Sequence, residues 1–464
     1  MIGHRRVWLA WFALVVACNG DSLGGPGIGS STPSLDTQVR QQIQRWGVLP
    51  MLPVKAQAPA LVDLGRSLFF DKILSGNRDV ACASCHSPLT HLGDGQSLAV
   101  GTGGMTVGAA RVLGAGRQFT PRNAPSLFNS PLGSFYMFWD GRVSGGPPGP
   151  FETPAGLVLS GGLSGLLAAQ AMIPVTNRVE MRGNPGDRDA FGNVNELAQI
   201  PDTDNTAIWN AEMQRVLAVA SYLQKFNAAF PGVPASQLRF QDAANAIAAF
   251  ESQALARTNS PFDRYVARDD NALSTDAKKG ALVFFTKGQC ASCHGGPLLG
   301  GVAITNAGVP QLGPGTGRLA PLDIGRDDDG QGRQPVPAFL FRAPPLRNVE
   351  LTAPYMHDGV YATLEEVVRH YNNVDSALKA FDPMALDPSV RASYHGDPAT
   401  IAMVAATLDQ RLRAPLALTA EEQRQLVVFL ESLTDPSARD MSGIVPAAVP
   451  SGLSVPSGLS VPPR

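Results

Sequence analysis

Two copies of one string, Cys-Ala-Ser-Cys-His, stand at residues 82–86 and 290–294 of this 464-residue chain, and they narrow its chemistry more than any other feature. They use four of its five cysteines, leaving Cys18 alone near the N-terminus. Cysteines tied up in adjacent pairs exclude a framework of several disulfides, and Cys-x-x-Cys-His is the attachment pattern of c-type haem. Two thiols on one helical turn reach the two vinyl groups of a porphyrin, and the adjacent histidine serves as proximal iron ligand. Cys82, Cys85 and His86 are therefore candidates to hold one covalent haem, and Cys290, Cys293 and His294 a second. A redox Cys-x-x-Cys pair needs no histidine, still less two, and a four-cysteine zinc site would have to join strings far apart in the chain.

Residues 1–17 read as an export signal, with His4, Arg5 and Arg6 ahead of an apolar stretch too short to span a bilayer. Leu14-Val15-Val16-Ala17 before Cys18 is similar to a bacterial lipobox, which implies a lipid anchor on Cys18 and a periplasm or cell-envelope location. Residues 18–39 read as a flexible tether and residues 438–464 as a low-complexity tail, with Ser-Gly-Leu-Ser-Val-Pro repeated at 451–456 and 457–462. The 37 Lys and Arg against 39 Asp and Glu leave no basic field, so no nucleic-acid partner is expected. With 48 Gly and 38 Pro, long ordered loops are expected.

Between the tails the chain repeats once. Leu61, Leu64, Leu68 and Phe69-Phe70 precede the first string, and Ala281, Leu282 and Phe284-Phe285 the second. The spacing of Ala243, Ile247, Phe250 and Ala254 predicts a helix over 240–256. A capping box at Thr419 and Glu422 starts another, with Leu426, Phe429, Leu430 and Leu433 on one face. The fold class is mainly α: two cytochrome c-like haem domains, 40–258 and 259–437, with long Gly/Pro-rich loops and few short strands.

Several further strings resemble the bacterial di-haem cytochrome c peroxidases and their MauG-type relatives over about residues 60–435. They are Leu64-Gly65-Arg66-Ser67-Leu68-Phe69-Phe70-Asp71 with Leu74-Ser75-Gly76-Asn77, Arg122-Asn123-Ala124-Pro125-Ser126-Leu127, Phe138-Trp139-Asp140-Gly141-Arg142, Arg347-Asn348-Val349 and Thr352-Ala353-Pro354-Tyr355-Met356-His357-Asp358-Gly359. The resemblance implies a peroxidatic N-terminal haem with Gln170 and Glu180 over its distal face, the Glu moving the proton that lets the O–O bond break. It implies Trp139 as the electron relay between the haems, and a calcium ion held by Asn123, Thr352 and Pro354. The acidic run at residues 327–330 reads as a solvated loop.

The chain departs from typical members in two places. Thr102 stands where they hold a blocking histidine. His91 is too close along the chain to His86 to replace it, and a Gly-flanked Met105 reads as packing, so the first haem is expected to be open at rest. Tyr371 stands where they hold a methionine ligand to the second haem, as in the MauG branch, with Met356 and His370 as rivals. A capping box from Thr363 to Glu366 and the spacing of Leu364, Val367, Val368 and Tyr371 put the tyrosine on the inward helix face and rotate His370 about 100° away. The expected function is reduction of hydrogen peroxide at the first haem, with electrons from a small cytochrome c or a cupredoxin through the second haem and Trp139. The alternatives are MauG-like oxidation of a protein substrate through a high-valent di-haem state, and a non-catalytic di-haem electron-transfer cytochrome.

Overall fold

Each half of the molecule is organised by two helices that cross at a glycine. The computed structural model describes residues 33–132, 135–146, 149–159, 161–326, 336–456, 458 and 459. Its α-helices are α1 (Leu35–Arg45), α2 (Pro59–Phe70), α3 (Cys82–Cys85), α4 (Leu166–Ala171), α5 (Asn205–Leu217), α6 (Ala220–Ala229), α7 (Phe240–Ala254), α8 (Pro261–Val266), α9 (Thr275–Phe285), α10 (Leu364–Asn372), α11 (Val374–Lys379), α12 (Pro398–Ala406) and α13 (Ala420–Glu431). In the first half α2 crosses α7 at Gly65, where a Cβ would lie 1.8 Å from the Ala246 carbonyl oxygen and 2.9 Å from the Phe250 Cβ. In the second half α9 crosses α13 at Gly280, where a Cβ would lie 1.8 Å from the Gln425 carbonyl oxygen and 2.9 Å from the Phe429 Cβ. Only glycine permits so close an approach of backbones.

The paired phenylalanines that follow each glycine fill the crossing. Phe69 and Phe70 meet Phe250 in one core, and Phe284 and Phe285 meet Phe429 in the other. All six are buried, and at about 1.5–3 kcal/mol for each such side chain these clusters are a large share of each half's stability. Strands are two or three residues long among the described residues. β1 (Tyr136–Met137), β2 (Val143–Gly145) and β3 (Phe151–Glu152) form an antiparallel sheet with Met137 opposite Val143 and Gly145 opposite Phe151. β4 (Ile304–Thr305) pairs with β6 (Phe341–Arg342), and β5 (Gln311–Leu312) with β7 (Tyr394–His395). The expected mainly helical class holds.

The chain ends differ from expectation. Residues 35–39, read as tether, begin α1, whose Val39 and Ile43 are buried in the second core, beside α9. Tyr265 donates to Asp36 at 2.8 Å and Trp46 Nε1 to the Phe285 carbonyl at 3.1 Å. Of residues 438–464, read as a tail apart from the core, the described ones run to the first half instead, where Val445, Val449 and Leu459 are buried in its core. Arg66 donates to the Ile444 and Val445 carbonyls at 2.7 and 2.8 Å, and Ser451 Oγ to Asp71 at 2.6 Å. The physical reason is that the sparse apolar residues of a Gly/Ser/Pro-rich segment suffice once each meets a preformed groove. The signal at 1–17, Cys18 and the acidic run at 327–330 lie outside the described residues. Among the described residues no helix is long and apolar enough to cross a membrane.

Candidate active site

Both haem strings are single tight turns. His86 N donates to the Cys82 carbonyl at 2.9 Å, and His294 N to that of Cys290 at 2.9 Å, so each histidine closes the turn that its cysteines occupy. His86 Nδ1 donates to the Leu92 carbonyl at 3.1 Å and His294 Nδ1 to the Leu299 carbonyl at 3.1 Å. Such a bond fixes the tautomer and leaves the Nε2 lone pair for a metal. Burial lowers both histidines, His294 to about 4, so both rings are neutral as ligation requires. Burial also pushes the Cys82, Cys85 and Cys290 thiols up to about 12, the opposite of the lowered pKa of a redox Cys-x-x-Cys pair. Two neutral thiols and one neutral imidazole on one turn, facing an apolar cavity, fit a covalently attached haem in each half.

One continuous cavity is lined by both strings. At the first string its wall includes Gln170, in the last turn of α4, and Glu180. Glu180 sits in a π-helical turn, Arg178–Arg182, a form frequent at functional sites. The Asn177 side chain caps this turn, accepting from Val179 N at 2.9 Å and Glu180 N at 3.0 Å. The loop carrying Gly101 and Thr102 braces it from behind. A Cβ on Gly101 would lie 2.0 Å from the Val179 carbonyl oxygen, and Thr102 N donates to the Glu180 carbonyl at 3.0 Å. Burial raises the Glu180 carboxyl, opposed by the guanidinium groups of Arg142 and Arg122. It thus holds a proton more tightly than an exposed acid.

Thr102 lies behind this wall. Its hydroxyl donates to the Asp79 carboxylate and accepts from Asn77 Nδ2 at 2.9 Å. Met105 is 59% exposed and its backbone pairs with Val112, which removes it as a ligand. His91 does not line the cavity; its carbonyl accepts from Ser126 Oγ at 2.9 Å.

Trp139 lines the cavity at the junction of the halves. Its Nε1 donates to the Asn123 carbonyl at 2.9 Å, and Arg342 N donates to the Trp139 carbonyl at 2.7 Å. Beneath it Arg122 joins Asp140 of the first half to Asp323 of the second, with a bidentate contact at 2.6 and 2.9 Å to Asp323. Burial alone would raise Asp140, but Arg122 and Arg142 outweigh it and hold the carboxyl well below its usual range. Asn123, Thr352 and Pro354 all line the same cavity. Asn123 Nδ2 donates to the Gln96 carbonyl at 2.6 Å, which leaves Oδ1 as the atom available to a cation.

At the second string the wall includes Tyr371 on α10. The capping box is present: Thr363 Oγ1 accepts from Glu366 N at 3.2 Å and Glu366 Oε2 from Thr363 N at 3.1 Å. Burial raises the Tyr371 phenol, and the Cys293 and Cys290 thiols add to the shift. The rival His370 has no free ring nitrogen. It is 1% exposed, Nε2 donates to the Ala307 carbonyl at 2.8 Å, and Nδ1 accepts from Tyr361 Oη at 2.8 Å. Met356 lines the cavity as well.

Residues 59–271 match the profile of the di-haem cytochrome c peroxidases. Cytochrome c551 peroxidase of Pseudomonas aeruginosa is 33% identical over 313 residues, 67% of this chain and 71% of that protein. The chain belongs to the di-haem cytochrome c peroxidase family. As a di-haem peroxidase-type oxidoreductase it carries two c-type haems. The methylamine utilization protein MauG of Methylorubrum extorquens is similar over 439 residues at 27% identity, 93% of this chain and 96% of that one. A solved structure of a MauG-like protein associated with microbial copper homeostasis has the same fold, with a TM-score of 0.54 at 27% identity, covering 85% of this chain and 95% of that chain.

Two residues of this di-haem peroxidase escaped the reading of its sequence. Asp323 carries no local signal: it stands alone in a loop and acquires its partner, Arg122, only through the fold. Glu251, on α7, was read as part of an ordinary helix, yet its carboxyl lines the cavity beside Cys82. The signal that singles it out is a charged residue on the apolar face that Ile247 and Phe250 define.

Proposed function

We propose that the protein reduces hydrogen peroxide at the first haem, with Glu180 as the proton-moving group, Gln170 as its hydrogen-bonding companion and Trp139 as the electron route from the second haem. The observation that carries this reading is the single cavity lined by both haem strings, with Glu180 and Gln170 on its wall at one end and Tyr371 at the other. A haem bound at Cys82, Cys85 and His86 supplies an iron that can bind peroxide and exchange electrons.

Glu180 takes the proton from the near peroxide oxygen and delivers it to the far one, so that the far oxygen leaves as water. Its raised proton affinity suits both halves of that transfer. The Gln170 amide donates to or accepts from the peroxide without titrating. The turn braced by Gly101 and Thr102 keeps the carboxyl in place, so little reorganisation accompanies the transfer. Reduction of one peroxide to water consumes two electrons and two protons. Trp139, hydrogen-bonded to a residue of each half through its indole and its carbonyl, is the aromatic step between them.

Calcium at Asn123, Thr352 and Pro354, export through the N-terminal signal and a lipid anchor on Cys18 belong to the same reading. A small cytochrome c or a cupredoxin is the expected electron donor. One observation favours a second reading: Tyr371 beside the second string, an oxygen donor that stabilises ferric iron and lowers its potential. Such a haem stores electrons poorly and suits oxidation of a protein substrate, as in MauG.

The test is absorption and EPR spectroscopy of the ferric holoenzyme before and after stoichiometric peroxide. A high-spin signal that peroxide consumes is expected. Two low-spin signals untouched by peroxide, before and after partial reduction, would leave only an electron-transfer cytochrome.

A further inference from the structure

The two halves fill equivalent places on their second helix with different chemistry. The crossing contacts align α7 with α13: Ala246 meets Gly65 as Gln425 meets Gly280, and Phe250 as Phe429. In that alignment Ile247 corresponds to Leu426 and Glu251 to Leu430, and all four line the cavity. The second half therefore presents leucine to its haem string where the first presents a carboxyl.

Glu251 is 4% exposed, and its Oε2 has no hydrogen-bond partner among the described residues. It stands close enough to Cys82 to raise that thiol, second only to burial. No cation among the described residues compensates it. Of the elements packed on α7, α2 bears Asp63 and Arg66, α5 bears Glu212 and Arg215, and α4 and residues 130–132 bear no charge. Asp63 pairs with Lys225, Arg66 donates to the Ile444 and Val445 carbonyls, and Arg215 serves Glu196 and the Ile73 and Ser75 carbonyls. Glu212 and Asp242, the other acid of α7, face elsewhere: Glu212 toward Arg215 and Arg78, Asp242 toward the Arg239 backbone. Burial is the sole cause that shifts Glu251, and it pushes the carboxyl up to about 8. A buried unpaired acid costs stability that a leucine, such as Leu430 in the same frame, does not.

We infer that Glu251 is the redox-linked proton store of the first haem, taking up one proton from solvent when that haem gains an electron and returning it when the electron leaves. The O–H bond of the carboxyl is the only bond made or broken. The electron comes from the same donor that serves peroxide reduction. The physical basis is Coulombic: negative charge added beside an unscreened carboxyl raises its proton affinity. The inference rests on attachment of the first haem at Cys82, Cys85 and His86 and on the electron flow proposed above, but not on Glu180 chemistry.

The experiment is a spectroelectrochemical titration of the holoenzyme at pH values on either side of about 8. In the wild type each unit of pH is expected to shift the reduction equilibrium of the first haem up to tenfold, oxidation being favoured as pH rises. In Glu251→Gln this dependence flattens, while that of the second haem is unchanged and peroxide is still consumed. An equal slope in wild type and Glu251→Gln overturns the inference, as does a slope lost in Glu180→Gln but kept in Glu251→Gln. Should Glu251→Gln fail to take up haem, redox-difference infrared spectra of the wild type decide: a protonated-carboxyl band that responds to reduction of the first haem supports the store, and its absence overturns it. Failure of peroxide to react, with the pH slope intact, would instead count against the peroxidase reading alone.

Discussion

The first and second halves share a frame and part company on the wall that faces it. Gly65 and Gly280 let the same helix pair cross, the same five-residue string follows, and each histidine donates Nδ1 to a carbonyl six or five residues on. Around that frame the first half places Gln170, Glu180 and Glu251, whereas the second places Tyr371, Leu426 and Leu430. The shared residues are those that backbone approach and iron ligation demand. The differing ones include the groups proposed to move protons or to tune an iron, so the frame recurs while the wall changes.

The sharpest way to break this comparison is Glu180→Gln. Peroxide turnover is expected to fall by about 10²–10⁴-fold with haem content and the second-haem spectrum intact, measured by steady-state peroxide consumption. Full retained turnover would remove the chemical distinction between the halves. Truncation after Asp440 should come next. Loss of Val445, Val449 and Leu459, at about 1.5–3 kcal/mol for each apolar side chain that is fully buried, lowers the melting transition of the first half and spares the second. Calorimetry that shows both halves falling together would contradict it.

Buried acids supply the third contrast. Burial pushes Glu212 of the first half up to about 8. From about pH 4.5 to 8 the folded chain therefore keeps a proton that the unfolded chain sheds, and stability declines as pH rises through this window. Glu251 adds a decline of the same sign, so Glu212→Gln should remove only the Glu212 share and stabilise the protein at pH 8 by on the order of a few kcal/mol, read from denaturant midpoints. A decline equally steep in wild type and variant would show that Glu212 is ionised in the native state.

The glycine crossings test what the halves share. Gly65→Ala and Gly280→Ala should each cost about 1–3 kcal/mol, alike in both halves, because each Cβ meets a carbonyl oxygen that only helix displacement can clear. The smallest effect on stability is expected for Tyr371→Phe, which should change the low-spin EPR signal of the second haem and leave the first untouched. An unaltered signal would exclude the tyrosine as a ligand.

Residues that act through short-range spacing could be read from the sequence: both haem strings, the capping boxes at Thr363 and Thr419, and the helix observed as α7. Gln170 and Glu180 were accessible only through resemblance, since a five-residue π-helical turn has no periodicity to detect. The rotation that removes His370 was readable, but not the two hydrogen bonds that occupy its ring, because Tyr361 and Ala307 reach it through the fold. The same holds for Asp323 and for Ser451, whose partners, Arg122 and Asp71, are remote in sequence. Long-range pairs leave no trace in local composition.

The crossed chain ends carry a consequence for biosynthesis. A nascent chain makes the first half from its N-terminal side, yet that core takes Val445, Val449 and Leu459 from residues made after the second half. The first core therefore stays unsealed on that side until the second half has been made. The second half, by contrast, receives α1 from residues that precede the first half and can close as soon as α13 arrives. The order of closure is thus the reverse of the order of synthesis, and the half that bears Glu180 is the last to be locked.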